Sequence, residues 1–144
     1  MRIWIFLFGA LLLAGEPGTK VEYVGGTLGE VRPGNDLRIL AADASELKIS
    51  MKARSLRVPY SQINQIEYGQ KVGRQVLAAI TVSPLFLLNK TRKHFLTLGF
   101  TDTDGSQQAI VVRVDKGDIR AVLASLEART GLRVTYLDDD ARRM

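Results

Sequence analysis

A chain of 144 residues, 46% of them hydrophobic, is one domain's worth of sequence with enough apolar material to bury a real core. The formal charge of +5 is mildly basic, too small to mark a nucleic-acid-binding tail, and the absence of cysteine excludes disulfides and thiolate metal sites. With one histidine, His94, and no base beside a nucleophile, the chain presents no catalytic constellation and calls for no cofactor.

Residues 1–15 read as a leader. Met1-Arg2 is a short positive start, Ile3 to Leu13 is an eleven-residue apolar run, and Ala14-Gly15 supplies small residues before a polar stretch. The run is too short for a spanning helix, which needs about 20 apolar residues. A cleaved signal peptide is the first reading, an uncleaved anchor the second and a buried N-terminal strand the third. Both of the first two place the domain outside the cytoplasm, in the periplasm or at the envelope.

From residue 16 to 36 glycines and Pro33 exclude a helix. Val21–Val24 and Thr27–Val31 are expected as two short strands, with Gly25-Gly26 a turn or bulge between them. Gly25-Gly26-x-x-Gly29 lacks the Lys-Ser/Thr pair and the helix of a phosphate loop. Leu37–Leu40 and Leu47–Lys52 follow as strands, the second in strict apolar–polar alternation. Leu56–Tyr60 is a strand that Pro59 ends or bends. Ile63 and Ile66, three apart, suit a helical turn or a bulge before the strand through Tyr68. The connections are too short for crossovers, so antiparallel pairing is expected.

His94 to Thr101 alternates, with Leu96, Leu98 and Phe100 on one face and His94 a polar residue at the strand edge. Thr101 to Gly105 is expected as a hairpin turn into the partner strand Gln107–Val114, whose Ile110, Val112 and Val114 share a face. The turn's carboxylates resemble the start of a calcium loop, but the downstream glutamate is absent. A helix is expected at about 116–130, capped by Asp115, striped by Ile119, Val122, Leu123 and Leu126, and stopped at Gly131. Leu132–Tyr136 adds a short strand, and 137–144 is a charged, frayed tail.

About seven antiparallel strands and one terminal amphipathic helix make a mainly β (α+β) domain over residues 20–136, a half-barrel with the helix in its open end. In Val58-Pro59-Tyr60, Ile63 and Ile66, followed by a strand hairpin and a terminal helix, the chain resembles bacterial pleckstrin-homology-like (GRAM-like) domains. It also resembles exported bacterial proteins of acidobacterial type through Tyr23-Val24-Gly25-Gly26-Thr27, Glu67-Tyr68-Gly69-Gln70-Lys71, Arg92-Lys93-His94, Thr101-Asp102 and Leu126-Glu127-Ala128-Arg129-Thr130-Gly131. The first resemblance implies a fold and by itself no function, and the second carries no activity. The basic phosphoinositide motif of cytoplasmic relatives is missing between the first two strands, where only Lys20, Arg32 and Arg38 lie nearby.

An apolar insert at 71–93 interrupts the domain. Val76 to Leu88 is thirteen residues without a charge, bounded by Lys71 and Arg74 before it and Lys90, Arg92 and Lys93 after it. Three readings stand. The first is a buried helix or helical hairpin, with Val76, Ile80 and Val82 on the core. The second is a wedge of Val76, Leu77, Ile80, Val82, Leu85, Phe86, Leu87 and Leu88 that dips into a membrane, its basic shoulders on anionic headgroups. The third is a patch that docks a protein partner or a second copy. Basic residues beside an apolar run also act as gatekeepers against aggregation. The expected role is therefore an exported binding or scaffold module, at an anionic membrane surface or on a protein partner, without nucleic acid.

Overall fold

The computed structural model describes residues 17–73, 81–82 and 93–143. The leader and most of the insert, including Arg74, Val76, Leu77, Ile80, Leu85 to Leu88, Lys90 and Arg92, lie outside the described residues. The strands are β1 (Thr19–Gly26), β2 (Asp36–Leu40), β3 (Glu46–Ser50), β4 (Ser55–Pro59), β5 (Ile63–Gly69), β6 (Thr81–Val82), β7 (His94–Thr101), β8 (Gln107–Val114) and β9 (Thr135–Tyr136). The helices are α1 (Ile119–Thr130) and α2 (Asp139–Arg142). The strands form one mixed sheet in the order β4-β3-β2-β1-β8-β7-β5-β9, with β6 off this path on β1.

β1 organises the sheet. Its first half pairs with β2 through Glu22↔Asp36, and its second half pairs with β8 from Glu22↔Arg113 to Gly26↔Ile110. Where β2 has left, β6 takes its place on Gly25 and Gly26. The register slips between Tyr23 and Gly25, a bulge that leaves Val24 fully buried. The extra residue of the bulge is Val24 and not the glycine pair, which is regularly paired as the last two residues of β1, and the expected second strand at Thr27–Val31 is a turn. There Thr27 N–H donates to the Ala109 carbonyl of β8 at 2.8 Å and Val31 N–H to the Leu28 carbonyl at 3.2 Å, which closes a turn instead of a strand. At Val82 the chain is strand, not helix, which corrects the helical reading at that point of the insert.

The alternating segments behave as their period requires. Leu37, Ile39, Leu47, Ile49 and Val58 turn inward and meet Ile66, Leu98, Ile110 and Val112 in one cluster. β4 ends at Pro59, and a single 3-10 turn over Tyr60–Gln62 leads into β5. Ile63 and Ile66 are both buried because β5 bulges between Ile63 and Gln65, the second of the two expected conformations. β7 differs from its pattern. It is buried on both faces, Phe95 and Thr97 as well as Leu96 and Leu98, and its backbone is paired on both sides, with β5 and β8.

α1 buries the expected stripe of Ile119, Val122, Leu123 and Leu126, and burying each such side chain is worth roughly 1.5–3 kcal/mol. Its start is three residues later than expected. Asp118 is the N-cap without a side-chain bond, and Asp115 supplies its carbonyl instead, accepting from Asp118 N–H at 3.0 Å and Ile119 N–H at 3.1 Å. Gly131 closes the helix in the left-handed region, φ 73°, and donates to Glu127 at 2.9 Å.

The C-terminal residues are the largest departure. β9 pairs with β5 in parallel, Glu67↔Thr135 and Tyr68↔Tyr136, against the antiparallel expectation. The chain can reach that position because α1 intervenes between β8 and β9 as a crossover. The expected frayed tail is instead docked: Asp138 caps α2 at Ala141 N–H, and Ala141 is 1% exposed.

Candidate functional site: a basic cleft on the first four strands

Lys20 on β1 stands directly opposite Arg38 on β2, and Arg38 directly opposite Ser50 on β3. Two cations facing each other across an antiparallel pair destabilise it, so their placement calls for a reason beyond folding. Both open onto a cleft of about 890 Å³, which the β1–β2 connection walls with Glu30 and Arg32 and the β3–β4 connection walls with Lys52 and Arg54. Five cations thus surround one depression with two carboxylates, Glu30 and Asp36, among them.

The local folding explains the gathering. The tight β3–β4 turn, closed by Met51 N–H donating to the Arg54 carbonyl at 2.7 Å, projects Lys52 and Arg54 outward. The β1–β2 turns present Arg32 likewise. The cations are held without being consumed: Lys20 pairs with Asp36 at 3.1 Å and Arg54 with Glu30 at 2.7 Å, all four side chains more than half exposed. Such exposed pairs contribute about 0–1 kcal/mol, so an anionic ligand group can replace the carboxylate at little cost. Arg38 donates to the Gly18 carbonyl at 3.3 Å.

The residues expected from the sequence are placed differently. Lys71 is exposed just after β5, whereas Lys93 is 8% exposed and does not present itself to a surface. Val82 pairs through its backbone with Gly25. Sequence reading noted Lys20, Arg32 and Arg38 but missed Lys52 and Arg54, because only the β2–β3 and β3–β4 pairings bring the two connections together. A dibasic turn, Lys52-Ala53-Arg54, was the available signal.

His94 is not a strand-edge residue. It is 7% exposed in the interior strand, and the Tyr68 hydroxyl meets its Nδ1 at 2.5 Å with the two rings stacked, centroids 5.9 Å apart. Burial lowers its pKa, and Lys116 pushes in the same direction. The Asp102 carboxylate is occupied as turn geometry: it accepts from Asp104 N–H and Ser106 N–H at 2.9 Å each and from Gln108 at 2.8 Å, which makes this a hairpin turn. Among the described residues no three His, Asp or Glu side chains are grouped to hold a metal ion, and no helix is long and apolar enough to cross a membrane. No protein-family model matches the chain, and no curated protein matches it significantly.

Proposed function

We propose that this protein is a non-catalytic, exported binding module of the bacterial envelope, a half-barrel of the pleckstrin-homology-like kind that docks on an anionic membrane surface. The observation that carries the reading is the cross-strand pair Lys20 and Arg38 at the floor of a cleft ringed by Arg32, Lys52 and Arg54. The four-strand meander continuing through β1 into β8, β7 and β5, with α1 packed on the cluster, supports the half-barrel. The apolar leader supports export. Lys71, Arg74, Lys90 and Arg92 with the apolar run Val76–Leu88 form the second contact of the same proposal, an apolar wedge under basic shoulders.

Vesicle flotation tests it, using the chain from Glu16 onward, which contains every residue of the hydrophobic cluster. Phosphatidylglycerol and phosphatidylcholine vesicles are compared at low and high salt. At about 1 kcal/mol per basic residue near an anionic surface, the Arg32→Glu/Lys52→Glu/Arg54→Glu variant should bind anionic vesicles roughly a hundredfold more weakly. A Lys71→Glu/Lys90→Glu/Arg92→Glu variant weighs the insert's shoulders separately. Salt-insensitive association of the chain with itself, without vesicles, would favour a self-association domain instead. Binding to soluble polyphosphate but to no vesicle would move the cleft from lipid to polymer, and binding to neither would end the proposal.

A further inference from the structure

Two cations of the basic cleft are each answered by one carboxylate, at two separate places. Lys20 on β1 holds Asp36 on β2, and Arg54 holds Glu30, which ties the β3–β4 connection to the β1–β2 connection. A cross-strand row links the two places. Lys20 faces Arg38, Arg38 faces Ser50, and Ser50 faces Ser55, the residue directly after Arg54. With neighbouring strands about 4.8 Å apart, the row sets Lys20 and Ser55 about 14 Å apart at the backbone, a gap that two long basic side chains narrow from both ends.

We infer, resting on the membrane-docking reading of this cleft, that it takes two linked anionic groups at once, one on Lys20 and Arg38 and one on Arg54. Its lipid is then one whose headgroup carries two phosphates on a short linker, rather than one.

A single phosphate that takes Lys20 from Asp36 leaves Glu30 on Arg54 in the same depression, where that carboxylate repels it. A second phosphate on the same headgroup displaces Glu30 as well. This second exchange is intramolecular, so the linkage raises affinity without any new kind of contact. Both exchanges are open, because all four side chains are more than half exposed and such pairs are weakly held. Charge and size agree with two groups. The cleft is lined by three more cations than carboxylates, and its volume of about 890 Å³ lies in the range of small-molecule pockets, more than one phosphate fills.

Vesicle flotation of the chain from Glu16 onward tests the count of phosphates. Phosphatidylcholine vesicles carry either cardiolipin, with two phosphates, or twice the molar amount of phosphatidylglycerol, with one, so that surface charge is equal. Binding should be about tenfold tighter on the cardiolipin vesicles. Lys20→Gln and Arg54→Gln each remove one of the two places and should bring the ratio to about one. Lys48→Gln removes the same charge from β3 outside the cleft and should keep the ratio. Equal binding to the two charge-matched vesicles would overturn the two-phosphate site while leaving the membrane-docking reading in place. A preference that persists in both Lys20→Gln and Arg54→Gln would assign it to bilayer packing, and one lost equally in Lys48→Gln would assign it to net charge; either overturns the site. Binding to neither vesicle would end the membrane-docking reading and this inference with it.

Discussion

Asp138 accepts the Gln70 N–H through one carboxylate oxygen at 2.6 Å, while its other oxygen caps α2 at Ala141 N–H at 2.7 Å. One side chain thus fastens the C-terminal residues to the end of β5 and starts the helix that buries Ala141. Asp138→Ala leaves both amides without an acceptor and should lower stability by about 2 kcal/mol in urea unfolding. Asp139→Ala, next door and exposed, should change it by less than about 0.5 kcal/mol.

Gly26 and Gly131 are both in positive-φ conformations but should respond differently to alanine. At Gly26, φ 151°, a Cβ would collide with the Ala109 carbonyl oxygen and stand 2.9 Å from Ile110 Cα, both backbone atoms of the neighbouring β8. Neither can yield without breaking the β1–β8 ladder. Gly26→Ala should therefore cost about 3 kcal/mol or more, whereas Gly131→Ala, φ 73° in open space, should cost only the left-handed penalty of about 1 kcal/mol. Thermal or urea midpoints of the two variants measure the contrast directly.

Alkaline titration should single out Tyr68. Its phenol is pushed up to about 12, so the folded state holds this proton through the range where an unfolded tyrosine, at 10.0, loses it. Stability contributed by the neutral phenol is complete below pH 10 and is lost as pH rises toward 12. Tyrosinate absorbance, recorded rapidly after a pH jump, should show a late component that Tyr68→Phe removes. Persistence of that component in Tyr68→Phe would assign it to another tyrosine.

Glu22 and Arg113 are cross-strand neighbours joined by an ion pair at the junction where β1 passes from β2 to β8, with Glu22 only 20% exposed. Partial burial shields this pair from solvent more than the open Lys20–Asp36 pair. A double-mutant cycle with Glu22→Gln and Arg113→Gln should return a coupling of about 1 kcal/mol, and the Lys20–Asp36 cycle less than about 0.5 kcal/mol. Equal couplings would mean that burial does not strengthen the first pair.

Local chemistry was enough to locate the strands around Leu37, Leu47 and Leu96, the Asp102–Gly105 turn, and the stripe and stop of α1. Alternation, positive φ and helical spacing each act within a few residues, so they are written in the chain order itself. The same local signals misled at Thr27–Val31, where Val31 N–H closes a turn onto the Leu28 carbonyl, and at Asp115, whose carbonyl rather than carboxylate receives the helix.

Tertiary structure decided everything that depends on which segments lie side by side. The register of β1, β2 and β3 sets Lys20 against Arg38, and the neighbouring turns add Arg32, Lys52 and Arg54, cations more than thirty positions apart at the extremes. The pairing of β5 with β7 brings His94 to Tyr68. The crossover through α1 lays Thr135 and Tyr136 parallel to β5, which turns an acidic tail into a capped and anchored segment. Spacing along the chain determines what each segment prefers to become. Only pairing between segments determines which side chains meet, because hydrogen-bond register, not sequence distance, sets their separation.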